Sequence, residues 1–178
     1  MKKFINSISD TPKSIFLAVL TGLLNVVFVL VSGQTRPSFE NVYISGISFA
    51  FSLLTFAIHI AFCLFCRFSK KTIILRGVFI YQMAGAVSYI LFFAGFIAGQ
   101  GADNGLTAFF AIFEWWTLGY RNLFEMLSRF TGIPFKFTGG VLYLIMTYIT
   151  ASAFLAAKKD IRYENEKRLD AEAVSQKR

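Results

Sequence analysis

Long stretches without a charged residue constrain the fold of this chain more than any other feature. Four such apolar runs alternate with short clusters of Lys and Arg. A bilayer core about 30 Å thick takes roughly 20 apolar residues as a helix, and exposed, unpaired backbone is not tolerated there. Only 16% of the residues are charged, whereas soluble domains average about 25%. The sequence therefore predicts an all-α integral membrane protein.

The predicted architecture is one polytopic transmembrane domain, residues 1–157, followed by a charged tail, residues 158–178. Four transmembrane helices are predicted, with spans at about 14–33, 44–66, 76–98 and 137–157. Fourteen of the 18 Lys and Arg residues lie before the first span, between the second and third (with Arg76 at the start of the third), or after the fourth. Because basic loops are retained in the cytoplasm, this distribution predicts that both termini are cytoplasmic. A fifth span at 106–120 would instead move the basic tail outside.

The net charge of +8 would ordinarily raise the possibility of a nucleic-acid partner. Here the charge follows the predicted membrane topology, and the tail mixes acidic with basic residues, so we expect no nucleic-acid partner. Membrane lipids are the expected surroundings. The Lys-rich start and compact loops are typical of bacterial proteins, which predicts a bacterial cytoplasmic membrane as the location.

Polar side chains inside the predicted spans recur at helical spacing. In the second span five of them follow steps of 3, 4, 3 and 4, which keeps them on one side of a helix. With one residue from the first span and one from the third, the candidate polar bundle face is Ser45, Ser48, Ser52, Thr55, His59, Asn25 and Gln82. Such a face is typical of ordinary helix packing in lipid, and it would also suit a polar pathway.

A further amphipathic helix is predicted over residues 106–130, between spans three and four. Its candidate interfacial or partner-contact residues are Glu114, Trp115, Trp116, Arg121 and Glu125. A helix with Trp and Phe on its apolar side is expected to lie in the membrane interface, here on the outer leaflet. Two alternatives remain at this point: the segment enters the bundle with its charges, or it crosses the membrane.

The residue patterns give no sign of catalysis, a metal site or a cofactor. The sequence has no G-x-S-x-G, P-loop or H-E-x-x-H motif, and no Asp or Glu lies in the four predicted spans. His59 is the only histidine, and the Cys63–Cys66 pair follows it on a predicted helix rather than in a thioredoxin-like unit. Small packing residues are the expected role of both cysteines.

We therefore predict a small membrane protein that is not an enzyme and acts through helix–helix contacts. The expected partner is another integral membrane protein or a second copy of the chain, as for an accessory subunit, an immunity protein or an exclusion factor. One alternative is a small channel or facilitator lined by the hydroxyl groups of the bundle. A second alternative is a lipid-active membrane enzyme.

Overall fold

The structure is a computed structural model that describes residues 2–31, 46–99 and 104–175, and in these ranges it contains helices and turns but no strand. The α-helices are α1 (Lys2–Val31), α2 (Gly46–Phe68), α3 (Thr72–Ala98), α4 (Phe109–Trp116), α5 (Arg121–Thr131) and α6 (Phe135–Ser175). A 3₁₀ turn, Leu118–Tyr120, separates α4 from α5. The predicted all-α class is confirmed over the described ranges.

Three of the helices are long and apolar enough to cross a membrane. The qualifying stretches are Asp10–Val27 in α1, Thr72–Ala98 in α3 and Phe135–Ala173 in α6. The described apolar part of α2, Ser52–Phe68, is shorter. The chain thus has the helices of a membrane protein.

Helix α6 continues without a break through the predicted boundary between the last span and the tail. Its 41 residues extend about 60 Å at about 1.5 Å per residue, roughly twice the thickness of a bilayer core. The charged half is supported by ion pairs, because Arg162 Nε lies 2.8 Å from a carboxylate oxygen of Glu166. Glu164 also pairs with Lys70, which connects this extension to the turn between α2 and α3.

Helix α3 is the centre of the bundle, with α1, α2, α4 and α6 packed against it. Close approach depends on glycine at two positions. A Cβ atom added at Gly77 would lie 2.7 Å from the Cβ of Leu17, so glycine permits the contact between α1 and α3. A Cβ atom at Gly140 would overlap the ring of Tyr89, so glycine permits the contact between α6 and α3.

The prediction of one continuous helix over residues 106–130 is wrong. The first helix begins only at Phe109 and ends at Trp116. The Thr117 hydroxyl donates to the carbonyl oxygen of Phe113 at 3.0 Å, and Gly119 follows in the 3₁₀ turn. Both features weaken a continuous helix, because the hydroxyl competes for backbone groups and glycine has low helix propensity. The chain bends there, and α5 starts in a new direction against α2 and α6.

Three of the four charged residues of this segment lie inside the protein rather than in water, and the fourth, Arg129, is exposed. Glu114, Arg121 and Glu125 are 8%, 4% and 8% exposed. Their burial follows from the packing of α4 on α3 and of α5 on α2 and α6. This arrangement corresponds to the alternative in which the segment enters the bundle, and it differs from an amphipathic helix with a solvated polar face.

Candidate functional site

A cavity of about 350 Å³ lies where α1, α2 and α3 meet the end of α4, the 3₁₀ turn and α6. It is lined mainly by apolar and aromatic side chains, with Thr, Asn, His and Gln side chains from α1, α2 and α3. The lining residues are Thr21, Leu24, Asn25, Thr55, Ile58, His59, Phe62, Val78, Tyr81, Gln82, Trp116, Tyr120 and Tyr143. A cavity of this size and composition is typical of sites for small molecules.

Aromatic rings form the wall of the cavity nearest to α4 and α6. Tyr81 and Trp116 stack with ring centroids 4.9 Å apart and an interplanar angle of 24°. Trp116 Nε1 donates to the backbone oxygen of Tyr81 at 3.1 Å, and the Tyr143 hydroxyl donates to the backbone oxygen of Gln82 at 3.2 Å. These two bonds occupy the polar atoms of Trp116 and Tyr143 and fix the orientation of their rings. The atoms that these two rings present to the cavity are therefore mainly carbon.

His59 is the centre of a polar cluster at the edge of the cavity. Its Nε2 lies 3.2 Å from Gln82 Nε2, 3.1 Å from Thr150 Oγ1 and 3.6 Å from Cys63 Sγ. Because an amide nitrogen only donates hydrogen bonds, His59 Nε2 is an acceptor in this arrangement. The cluster joins α2, α3 and α6 through neutral groups, as expected for a polar contact in a low-dielectric bundle.

Gln82 is left with an unmet hydrogen-bonding group. The residue is 4% exposed, and its Oε1 has no hydrogen-bond partner among the described residues. A buried polar atom without a partner costs free energy, about 1–3 kcal/mol in typical cases. Such an atom beside a cavity is a reason to expect a hydrogen-bonding ligand there.

A second polar cluster, formed by α4 and α5, carries charge. Arg121 Nε lies 3.0 Å from a carboxylate oxygen of Glu125, and both side chains are buried. Glu114 Oε1 is buried without a hydrogen-bond partner in the described part of the chain. Burial raises the pKa of Glu114 to about 7, with Glu125 adding to the rise and Arg121 opposing it. The Glu114 carboxyl therefore takes up or releases a proton near neutral pH.

The structure brings four of the seven predicted polar-face residues, Asn25, Thr55, His59 and Gln82, to the cavity. Ser52 is fully buried one turn away on α2, and its Oγ lacks a partner in the described ranges. Ser45 lies outside the described residues, and Ser48 is described only as part of α2. In the described part of α2, Ser52, Thr55 and His59 thus lie on the side of the helix that faces the bundle.

The candidate partner-contact residues divide into three groups. Trp115 is 54% exposed, and Trp116 lines the cavity. Glu114, Arg121 and Glu125 are buried, so in this structure they contact the protein itself. Of the five, Trp115 is the most exposed.

Several residues of the site were not among the sequence candidates. Tyr81, Tyr120 and Tyr143 of the aromatic wall and Thr150 of the His59 cluster lie outside that list of candidates. A signal existed on α6, because Tyr143 and Thr150 are seven residues apart and share one helix face. Tyr120 had no such signal, since its position depends on the bend between α4 and α5.

The described residues contain no group of three or more His, Cys, Asp or Glu side chains that could hold a metal ion. Cys63, which belongs to the His59 cluster, and Cys66, three residues further along α2, are buried free thiols.

Three comparisons, with protein-family models, curated proteins and solved structures, found no match to this chain.

Proposed function

We propose that this chain is a multi-pass membrane protein with four spans and cytoplasmic termini, and that it acts without catalysis through helix contacts with a membrane partner. Helix α2 is the fourth span in this proposal. It has 23 residues, about 34 Å at about 1.5 Å per residue, and its only Lys or Arg is Arg67, in the last turn. The 14 basic residues clustered outside the apolar runs support this topology, since all of them then lie on one side.

The observation that carries the proposed function is the shallow burial of α1. Only 11% of its spanning stretch is buried, compared with 39% in both α3 and α6. Helix α1 lies mainly against α3, with a smaller contact to the 3₁₀ turn. Among the described residues, most of the apolar surface of α1 is therefore uncovered and available to another transmembrane helix.

The exposed surface of α1 has the spacing of a helix–helix seam. Phe16, Leu20, Leu23 and Val27 are all exposed and follow one another at steps of 4, 3 and 4. These are the a and d positions of a heptad, which pack against a facing helix as knobs into holes. In lipid, such packing and interhelical contacts provide the attraction between helices. We call the four residues the α1 seam.

The test is site-specific photo-crosslinking in the native membrane. A photoreactive amino acid replaces Leu23 in the α1 seam or, as matched control, Ile90, which is 54% exposed on α3. The proposal predicts a discrete protein adduct from position 23 and none from position 90. An added mass near 20.0 kDa identifies a second copy of the chain, and any other discrete mass identifies a different protein. Lipid adducts alone at position 23, or equal adducts at both positions, would contradict the proposal.

A further inference from the structure

We infer that the cavity between α1, α2 and α3 binds a neutral amphiphile that carries a hydroxyl group on an alkyl body and enters from the bilayer. This inference goes beyond the proposed helix contacts and does not depend on them, because the α1 seam and the cavity occupy different faces of α1. Its support comes from the size, lining and opening of the cavity and from the buried Gln82 oxygen that lacks a hydrogen-bond partner among the described residues.

The size and lining of the cavity match an alkyl body. At about 30 Å³ for each water-sized group, 350 Å³ holds about a dozen heavy atoms. Leu24, Ile58, Phe62 and Val78 contribute aliphatic and aromatic carbon, and the stacked Tyr81–Trp116 pair contributes a flat apolar surface. An alkyl chain here would exchange bilayer contacts for close packing against these groups.

The charge of the lining favours a neutral ligand. No Lys, Arg, Asp or Glu is among the described residues that line the cavity. A phosphate, carboxylate or ammonium group would lose its hydration without meeting an opposite charge, which is strongly unfavourable. The ligand class is therefore an uncharged amphiphile rather than a phospholipid headgroup or a fatty acid anion.

The polar groups of the cavity favour a hydroxyl group. The Gln82 amide has one end bonded to His59 and the other without a partner in the described residues. With the amide as placed, the unmet atom is an oxygen that needs a donor; with the amide rotated, it is a nitrogen that needs an acceptor. A hydroxyl group donates and accepts, so it satisfies Gln82 in both orientations, whereas a carbonyl satisfies only one.

The cavity opens towards the surface that the bilayer would cover. Leu24 on α1 and Ile58 on α2 both line it, and they are 60% and 57% exposed. Both belong to apolar helices, so the opening between them faces lipid in the proposed topology. A membrane-dissolved ligand could enter there without passing through water.

Trp116 provides a direct reporter of binding, because it lines the cavity and the chain has only two tryptophans. The experiment uses the Trp115→Phe protein, purified in lipid nanodiscs without any partner. The probe is undecanol with a bromine atom at the far end of its chain, since bromine quenches tryptophan fluorescence on contact. We expect saturable quenching of Trp116 that undecanol reverses by competition and undecane does not.

Matched variants separate binding from simple partitioning into lipid. In Trp116→Phe protein the exposed Trp115 should show only quenching that rises linearly with probe. In the Trp115→Phe background, Val78→Phe should fill the cavity and remove the saturable phase, while Gln82→Leu should weaken alcohol binding about tenfold, as expected for one lost hydrogen bond. Circular dichroism and gel filtration establish that each variant is folded.

Three results would overturn the inference. One is quenching of Trp116 that stays linear and equals that of Trp115. Another is saturable quenching that survives Val78→Phe in a folded protein. The last is bromoundecane binding as tightly as the bromine-labelled alcohol, which would remove the role of the hydroxyl group. None of these outcomes bears on the α1 seam, so failure here and failure of the proposed function are distinguishable.

Discussion

Two levels of the bundle, two turns apart on the same face of α3, differ in how completely they are packed. At the level of Ala86, Tyr89 and Phe92, rings from α3, α4 and α6 fill the space between the helices. At the level of Val78 and Gln82, the same face borders a cavity of about 350 Å³. One helix therefore supports both a filled core and a vacant site.

The filled level is held by contacts between aromatic rings. Tyr89 and Phe113 have centroids 4.9 Å apart, and Phe113 meets Tyr143 edge-on at 5.6 Å. These are the tilted and edge-to-face arrangements that aromatic pairs prefer. The level is filled because α4 packs beside α3 and places Phe113 in it.

The vacant level results from the position of α1. Helix α1 lies mainly against α3, so the space between it and α2 is not filled by side chains. The side chains that stabilise the fold and those that border the binding cavity therefore lie at different levels of α3. Substitutions at the filled level should mainly change the free energy of unfolding, and substitutions at the vacant level should mainly change ligand binding.

The largest expected effect is at the buried ion pair on α5. Arg121→Ala leaves Glu125 buried without its positive partner and should lower the free energy of unfolding by about 3–5 kcal/mol. The measurement is reversible unfolding in mixed micelles with increasing denaturing detergent. The control is Arg168→Ala, which removes an exposed pair with Glu172 and should cost less than about 1 kcal/mol. Equal losses in the two variants would show that α5 is not buried as described.

The next effect is at the closest contact of the filled level. Gly140→Ala places a methyl group where the Tyr89 ring lies, so α3 and α6 must separate. Overpacking of this kind costs about 1–3 kcal/mol, which the same unfolding assay resolves. Gly105→Ala is the control, because a Cβ atom there meets nothing within 4 Å. A Gly140→Ala protein as stable as this control would refute the close packing of α6 on α3.

A pH-dependent effect is expected from the titration of Glu114. Its pKa is raised by burial to about 7, so the folded state binds a proton more tightly than the unfolded state does. Stability should therefore fall as the pH rises from about 5 to about 7 and then level off, because linkage makes the slope negative where the folded state holds more protons. Glu114→Gln should flatten this slope in melting curves recorded across that range. An unchanged slope in the variant would assign the titration to another group.

The sequence predicted the helical class and grouped the polar residues of α2 on one side because both depend on local patterns. Uncharged runs predicted membrane helices, and the spacing of Thr55 and His59 predicted that they share a side. The structure adds that His59 and Cys63 on this side meet Gln82 of α3 and Thr150 of α6, which requires the packing of three helices.

The segment between α3 and α6 was predicted less well, because its form depends on tertiary contacts. Its charges and aromatic residues fit an amphipathic surface helix, which would keep Glu114 and Arg121 in water. The bend at Thr117 and Gly119 and the space beside α3 instead allow Phe113 and Trp116 to pack inside. When those rings are buried, the neighbouring charged residues Glu114 and Arg121 are buried too. The helical periodicity of the sequence does not predict this burial.

The central claim, a filled and a vacant level on one face of α3, is tested most directly by adding bulk at each level. Val78 and Ala86 are both buried on that face, and Val78→Phe adds more carbon than Ala86→Leu does. We predict that Val78→Phe changes the free energy of unfolding by less than about 1 kcal/mol, whereas Ala86→Leu lowers it by about 1–3 kcal/mol. A loss for Val78→Phe as large as that for Ala86→Leu would show that there is no vacant level and contradict the account.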